Sequence, residues 1–158
     1  RIGHLTGSLN VNVYQDRFRG YKYALDEASM LLDEAHIFEG SITRDTALNC
    51  ARELLEKHQV DAIFCAGDYA AIGAMEAIRD KGLKVADDIG VVGFANEPFA
   101  DVISPGLTTV EQNAYEIGLR AANSLIQLIS RSGFTSIQTE DVVPVRLLVR
   151  DSSMKNGQ

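Results

Sequence analysis

The sequence lacks several features that would assign it to a specialised class of protein. It contains no tryptophan and two cysteines, and no uninterrupted apolar run approaches the roughly 18 residues of a membrane-spanning helix. Cys50 and Cys65 are isolated in apolar stretches, so we expect two buried, reduced thiols and no disulfide scaffold. The composition therefore favours an ordinary soluble globular protein that has no membrane partner.

Positive charge is also scarce. The 15 lysines and arginines are outnumbered by 22 aspartates and glutamates, which gives a formal net charge of -7. Proteins that bind nucleic acid through its phosphates need clustered cationic side chains. We therefore expect that this chain does not bind DNA by itself.

The length of 158 residues is enough for one compact domain with one hydrophobic core. The sequence starts at Arg1, without a methionine, directly in a strand-like run. We interpret it as a fragment or a processed product, so the absence of a signal peptide at this end carries no information.

Strand-like and helix-like segments alternate through the first 94 residues. Short apolar runs at residues 2–7, 35–39, 60–66 and 89–94 are separated by segments of about ten to sixteen residues whose apolar positions recur every three or four residues. This spacing is typical of parallel strands joined by crossover helices. The fold class that it predicts is α/β, a doubly wound parallel sheet sandwich with helices on both faces.

Three residues mark the ends of these predicted helices. Thr43 and Asp68 stand where a helix begins and are suited to cap its free amides, and Gly82 stands where a helix ends.

The alternation stops after Phe94. We expect a loop, a short extended piece, a long helix, a polar connection and a last strand in which Pro144 indicates an edge position or a bulge. In order, these segments are residues 95–106, 107–110, 113–131, 132–140 and 142–149, and residues 151–158 are predicted to be a disordered tail.

Sequence patterns of enzymes and metal sites are missing. The sequence contains no Walker loop, no G-x-S-x-G elbow, no H-E-x-x-H motif and no complete dinucleotide fingerprint. His4, His36 and His58 fall in two strands and at a helix end without metal-ligand spacing, so structural histidines are the favoured interpretation. We expect no catalytic residue, no metal and no cofactor.

A candidate binding site is formed by polar residues that the predicted fold brings to one edge of the sheet. Asp68 follows the third strand, Asn96 follows the fourth, and Arg17 lies in the first turns of the helix after the first strand. Ligands of open α/β sheets bind outside the carboxyl ends of the strands. We predict that these three residues line a cleft for a small molecule, with Ile42 and Tyr69 as an apolar face for a sugar-like ring. The alternatives are a plain helix cap for Asp68 and a solvated helix position for Arg17.

A family resemblance is carried by several short segments in a fixed order. They are Gly7-Ser8, Arg17 with Gly20-Tyr21, AIFCAGDYAAIGA at residues 62–74, IGVVGF at residues 89–94 and PGLTTV at residues 105–110. Over about residues 1–150 the chain resembles the lactose/galactose repressor (LacI/GalR) family of bacterial transcription regulators.

The resemblance implies a periplasmic-binding-protein-like (type I) effector-binding core, mainly its C-terminal subdomain. That subdomain would comprise residues 1–106 and 140–150, whereas residues 110–131 would belong to an N-terminal subdomain that is otherwise absent. A cytoplasmic regulator of this family contacts DNA through a helix-turn-helix headpiece, which is also absent here. The implied function is to bind a sugar-like effector and to change the DNA affinity of that headpiece.

The resemblance also implies a homodimer and a site with two departures. The family commonly has Asn where this chain has Gly67 and Asp where it has Ala95, which argues against an ordinary hexose effector, with Asn96 as a partial substitute. The implied dimer interface comprises a small-residue surface and an apolar loop patch. These residues are Ala70, Ala71, Ala74, Phe99, Val102 and Ile103; the alternative is that the alanines pack on their own sheet.

Two other functions remain as alternatives. A periplasmic sugar-binding protein of an uptake system would share the sheet and the cleft, but the D-x-x-A-x-G-A helix and the L-T-T-V run favour a repressor. An enzyme on the same fold is the third possibility, and no nucleophile or acid/base pair in the sequence supports it.

Overall fold

The computed structural model describes residues 1–40, 42–130 and 140–155. The elements are, in chain order, β1 Ile2–Leu5, α1 Asn12–Glu27, β2 Ile37–Phe38, α2 Arg44–Lys57, β3 Ala62–Cys65, α3 Asp68–Asp80, β4 Gly90–Val92, β5 Thr109–Glu111, α4 Ala114–Ser130 and β6 Arg146–Leu148, with short 3-10 turns at Glu34–His36 and Asp151–Ser153.

The first four strands form one parallel sheet in the order β2-β1-β3-β4. This confirms the predicted doubly wound α/β fold, although each strand is shorter than the apolar run that predicts it. The connection after β1 leads to β2 at one edge of the sheet, whereas the connection after β3 leads to β4 at the opposite edge. The strand order therefore reverses between β1 and β3, which creates a crevice at their carboxyl ends.

The two faces of the sheet are covered by different helices. Leu5 and Ile63 join a buried apolar cluster with side chains of α2 and α3, including Leu54 and Met75. His4, which alternates with Leu5 along β1, points to the opposite face, where α1 covers the sheet. The prediction of helices on both faces is confirmed.

Helices α2 and α3 pack very closely because of a glycine. A Cβ atom at Gly73 would overlap the carbonyl oxygen of Arg44 and the amide nitrogen of Leu48. The capping signals in the sequence hold in part. Thr43 accepts a hydrogen bond from the Thr46 amide at the start of α2, and Gly82 has a φ of 74° just after α3.

His4 is fully buried in an aromatic stack on the α1 side of the sheet. Its ring centroid lies 4.8 Å from those of both Tyr21 and Phe64, and its Nδ1 lies 3.0 Å from the Phe64 carbonyl oxygen, to which it donates. Burial lowers the pKa of His4 from 6.5 to about 4. The ring is therefore neutral at physiological pH.

Beyond β4 the chain forms a small antiparallel pair. Val110 of β5 lies opposite Leu147 of β6, and Thr108, just before β5, bridges in parallel to Val92 at the sheet edge. Pro144 precedes β6, which within the described residues pairs with β5 alone, as expected for an edge strand.

The prediction of a disordered tail over residues 151–158 is wrong for its first part. The turn Asp151–Ser153 folds back onto the sheet, and Ser152 is fully buried. Its hydroxyl donates to the Val91 carbonyl oxygen at 2.6 Å and accepts from the Thr108 amide at 2.8 Å. Residues 156–158 and the predicted connection at 132–139 lie outside the described residues.

Helix α4 differs from the other helices because none of its residues is buried. Tyr115 is 83% exposed and Ile129 is 76% exposed, and the helix keeps a strongly amphipathic sequence. No helix in the described part of the chain is long and apolar enough to cross a membrane.

We predict that Gly73→Ala destabilises the protein by about 1–3 kcal/mol, since the added methyl group must push α2 away from α3. Gly118→Ala in α4 is the matched control, because a Cβ there meets no atom within 4 Å. The control should be neutral or slightly stabilising, by up to about 1 kcal/mol, from helix propensity. Urea unfolding measures both changes, and equal effects of the two variants would contradict the packing argument.

We also predict that His4 makes stability depend on pH. The folded-state pKa of about 4 lies below the unfolded value of 6.5, so between these pH values the unfolded chain binds a proton that the folded chain does not. This contribution is complete above pH 6.5 and is lost as the pH falls towards 4, by about 3 kcal/mol in total.

His4→Phe keeps a flat ring in the stack but cannot titrate. The free energy of unfolding, measured with urea between pH 7 and 4.5, should therefore fall less steeply in this variant than in the wild type. Parallel curves for the two proteins would show that His4 does not set this dependence.

Candidate functional site

A cleft of about 220 Å³ lies at the carboxyl ends of β1 and β3, where the strand order reverses. It is open on one side, and its walls combine aromatic rings with a few polar groups. The lining residues are Tyr14, Arg17, Ile42, Ala66, Gly67, Asp68, Tyr69, Phe94, Ala95, Glu97 and Gln112.

Arg17 lies in the cleft as predicted and is held there by three contacts. Its Nη1 donates to the Ala66 carbonyl oxygen at 2.6 Å, its Nη2 donates to Gln112 Oε1 at 3.3 Å, and its guanidinium carbon lies 3.8 Å from the centroid of the Phe94 ring. Within the described residues, two of its five N–H donors are thus occupied. Burial lowers the pKa of Arg17 from its ordinary value, but a guanidinium stays charged.

Aromatic rings form the apolar part of the cleft. Phe94 follows β4, and its ring packs against the Arg17 guanidinium. Tyr14 lies on α1, with its ring centroid 5.8 Å from the guanidinium carbon of Arg17. A Cβ atom at Gly7 would overlap the Tyr14 ring, so glycine at the end of the first strand lets this ring rest on the backbone. An aromatic face beside fixed polar donors is the chemistry that binds the ring of a small polar molecule.

Asp68 lies at the bottom of the cleft and is only 1% exposed. It does not cap α3, because Gly67 occupies the N-cap position and Asp68 is the first residue of the helix. Its two oxygens accept hydrogen bonds from the Thr109 hydroxyl at 2.6 Å and from the Glu97 amide at 2.8 Å. Asp68 therefore ties three segments together beneath the cleft.

Asn96 is the one predicted site residue that the structure does not bring to the cleft. Its neighbours Ala95 and Glu97 line the cavity, whereas its carboxamide bonds to Glu111 and Arg150 on the other side of the loop. The prediction places the correct loop but the wrong residue of it, because the positive φ angles of Ala95 and Asn96 turn the backbone here and the Asn96 carboxamide is held by Glu111 and Arg150.

Ile42 and Tyr69 both lie at the rim, as predicted, and are 40% and 52% exposed. The Tyr69 ring packs edge-on against Phe99, with the centroids 5.0 Å apart. Both side chains therefore offer accessible apolar surface beside Arg17.

Sequence reasoning missed several lining residues. Tyr14 and Phe94 belong to apolar patterns that indicate core positions, and Gln112 lies beyond the sheet. The signal for Tyr14 is Gly7, a small residue where a strand ends against an aromatic helix. No pattern in the sequence indicates Gln112.

The predicted small-residue dimer surface is wrong. Ala70, Ala71 and Ala74 are fully buried in the core that α3 forms with α2 and the sheet, so they offer no surface to a second chain. In the loop after Phe94, Val102 is 78% exposed, while Phe99 and Ile103 are partly buried. Within the described residues there is no group of three or more His, Cys, Asp or Glu side chains that could hold a metal ion.

Comparison with known proteins agrees with this fold. Residues 1–153 match the family described as "Periplasmic binding protein-like domain". The HTH-type transcriptional repressor PurR of Vibrio atlanticus is 37% identical over 130 residues, which are 82% of this chain and 39% of that protein. The ribose operon repressor of Halalkalibacterium halodurans is 32% identical over 158 residues, with 99% and 46% covered.

Solved structures give the same result. A transcriptional regulator CelR in complex with cellobiose is 32% identical, with a TM-score of 0.89 over 96% of this chain and 46% of that one. A lac repressor dimer bound to operator and an anti-inducer is 27% identical, with a TM-score of 0.86 over 98% of this chain and 46% of that one.

The chain spans less than half the length of the curated repressors that it matches. Its four-stranded parallel sheet, the cleft at the strand reversal and these similarities agree with one another. The chain belongs to the periplasmic binding protein-like domain family, as an effector-binding core of the LacI/GalR type.

Proposed function

We propose that this chain is the effector-binding part of a cytoplasmic bacterial transcription repressor, in which a sugar-like or related small molecule binds beside Arg17. The observation that carries the proposal is the position of this guanidinium. It lies over the Phe94 ring in an open cleft, and Ala66 and Gln112 hold it in place. A fixed fork of unused donors next to an aromatic face suits a ligand that carries several oxygen acceptors.

The exposed apolar surface of α4 supports the view that this chain is completed by a further subdomain. Ile126 is 59% exposed, Val142 is 72% exposed and Leu147 of β6 is 56% exposed, all beyond the point where the chain leaves the sheet. Exposed apolar surfaces of this kind mark contacts with another unit. We propose that residues 110–131 belong to that second subdomain and that the effector is enclosed between the two.

We propose that DNA is bound through a separate headpiece and that the chain is not an enzyme. The net charge of -7 disfavours direct phosphate contacts, and the described residues of the cleft include no nucleophile hydrogen-bonded to a base. The alternative of a periplasmic uptake protein is not favoured, because the matched relatives are repressors.

We propose a homodimer whose interface includes the loop around Val102. This side chain is 78% exposed, and Val102 follows three residues after Phe99, whose ring packs against Tyr69. The lac repressor that shares this fold is a dimer in its operator complex.

The test of the site is a ligand screen with the full-length gene product that contains this sequence. Ribose, glucose, cellobiose and purine bases are tested by thermal shift, and the affinity of any binder is then measured by calorimetry. We expect at least one compound to bind, and Arg17→Ala to weaken it by more than about tenfold, because hydrogen bonds to a charged donor are lost.

The matched control is Arg19→Ala, because Arg19 lies two residues away on the same helix, is exposed and forms a surface ion pair with Asp16. It should leave affinity unchanged. Binding by none of the compounds, or unchanged affinity in Arg17→Ala at unchanged melting temperature, would refute the proposed site.

The dimer is tested by sedimentation of the same protein at micromolar concentration. We expect Val102→Asp to shift the protein from dimer to monomer, because it places a charge in an apolar interface. Leu31→Asp is the control, since Leu31 is 95% exposed in the loop after α1. A wild-type monomer, or a dimer that tolerates Val102→Asp, would contradict this proposal.

A further inference from the structure

The loop that follows β4 has two functional sides. Ala95 and Glu97 face the cleft, and Asn96 between them faces the segments that enter and leave the β5/β6 pair. Ala95 has a φ of 122° and Asn96 a φ of 54°. Asparagine tolerates this region better than most residues, whereas alanine disfavours it, so the surrounding bonds must hold the loop in this shape.

Three successive backbone amides of the loop are hydrogen-bonded. Ala95 donates to the Val110 carbonyl oxygen at 3.0 Å, Asn96 donates to the Thr109 hydroxyl at 3.3 Å, and Glu97 donates to Asp68 at 2.8 Å. Two of these three acceptors belong to β5. The cleft wall is thus fixed directly to the strand that leaves the sheet.

The carboxamide of Asn96 also bonds to the two segments that enter and leave the β5/β6 pair, which we call the crossing segments. Its Nδ2 donates to Glu111 Oε2 at 2.7 Å, and its Oδ1 accepts from Arg150 Nη2 at 2.9 Å. Glu111 ends β5, and Arg150 follows β6. We call Asn96, Glu111 and Arg150 the Asn96 clasp.

The Asn96 clasp is also bonded to the chain just before β5 and lies next in sequence to a residue that contacts Arg17. Arg150 Nη1 donates to the Leu107 carbonyl oxygen at 2.6 Å. Gln112, the residue after Glu111, accepts from Arg17 Nη2 at 3.3 Å. The hydrogen bond from Asn96 is also the largest cause that lowers the pKa of Glu111, so the carboxylate is charged when it accepts this bond.

We infer that Asn96 is a positioning residue that makes the cleft and the two crossing segments move together, and that it does not contact the ligand. This inference rests on the proposed function, since it concerns how that cleft is connected to the remainder of the regulator. The physical reason is that the loop cannot shift on its cleft side without breaking charge-assisted bonds on its other side. Conversely, a displacement of the crossing segments moves Gln112 and therefore shifts the Arg17 guanidinium that it holds.

The experiment uses the full-length gene product and needs no effector. Hydrogen exchange is measured on peptides that cover residues 93–99 and 107–113, and the reaction of each arginine with phenylglyoxal is followed by peptide mass spectrometry. Asn96→Gly removes the clasp but suits the positive φ. We expect exchange in both peptides and labelling of Arg17 to rise by about three- to tenfold, as for the loss of one or two hydrogen bonds.

A charge-swapped pair separates the clasp from a general loss of stability. Asn96→Asp alone places a carboxylate against Glu111 and should loosen both peptides, whereas Asn96→Asp with Glu111→Gln restores a hydrogen bond with the polarity reversed at the same net charge. We expect the pair to return exchange and Arg17 labelling to within about twofold of the wild type. If Asn96→Gly does not fold, this pair and its single variant carry the comparison.

Labelling of Arg19, which is exposed on α1, is the internal control and should not change. The inference is overturned if exchange rises at residues 93–99 alone, if Arg17 labelling does not respond, or if the charge-swapped pair fails to recover. Because no ligand is used, a ligand screen without a hit would refute the proposed function and leave this result unaffected.

Discussion

The cleft depends on the two hydrogen bonds that the buried side chain of Asp68 accepts. A carboxylate that is 1% exposed would be costly without partners, and here each oxygen accepts a short hydrogen bond. These bonds join α3, the loop after β4 and β5 at a single point. Gly93 completes the arrangement, because any Cβ there would overlap Asp68 Oδ1. Gly93 of the IGVVGF segment therefore leaves space for the Asp68 side chain, which fixes the floor of the cleft.

Local patterns in the sequence predicted the sheet well, because each crossover unit has its own periodicity. The four apolar runs became four parallel strands, and Arg17, Ile42, Asp68 and Tyr69 were all brought to one cleft. The position of a residue at a strand end determines which edge of the sheet it reaches. The position at a strand end does not determine which way the side chain points. The sequence therefore predicts Asn96 in the cleft, whereas the structure has Glu97 there.

Long-range contacts explain the other differences. A stripe of alanines on a helix indicates close packing, but the pattern is the same whether the partner is a second subunit or a neighbouring helix. In this protein the alanines are buried in the core that α3 forms with α2 and the sheet, and Gly73 allows α2 to approach α3 closely. Likewise, the polar sequence Asp-Ser-Ser after Arg150 is typical of a loose tail, yet Ser152 is buried because its hydroxyl bonds to both Val91 and Thr108. Neither partner is close to it in sequence.

The two departures at Gly67 and Ala95 acquire a physical meaning from the cleft. A Cβ at Gly67 would meet no atom within 4 Å, so no packing constraint requires glycine there and a larger ligand group can approach the start of α3. Ala95 lines the same cavity with a methyl group. Among the charged lining residues, Asp68 is engaged by Thr109 and Glu97, whereas Arg17 lies beside Gln112 in the cleft. Under the proposed function, a ligand of this cleft presents its acceptors to the Arg17 guanidinium, so its affinity depends on how firmly Arg17 is held. Arg17 is held by the Ala66 carbonyl oxygen, just after β3, and by Gln112, just after β5, so the bonds that position the guanidinium also connect it to the chain beyond the sheet.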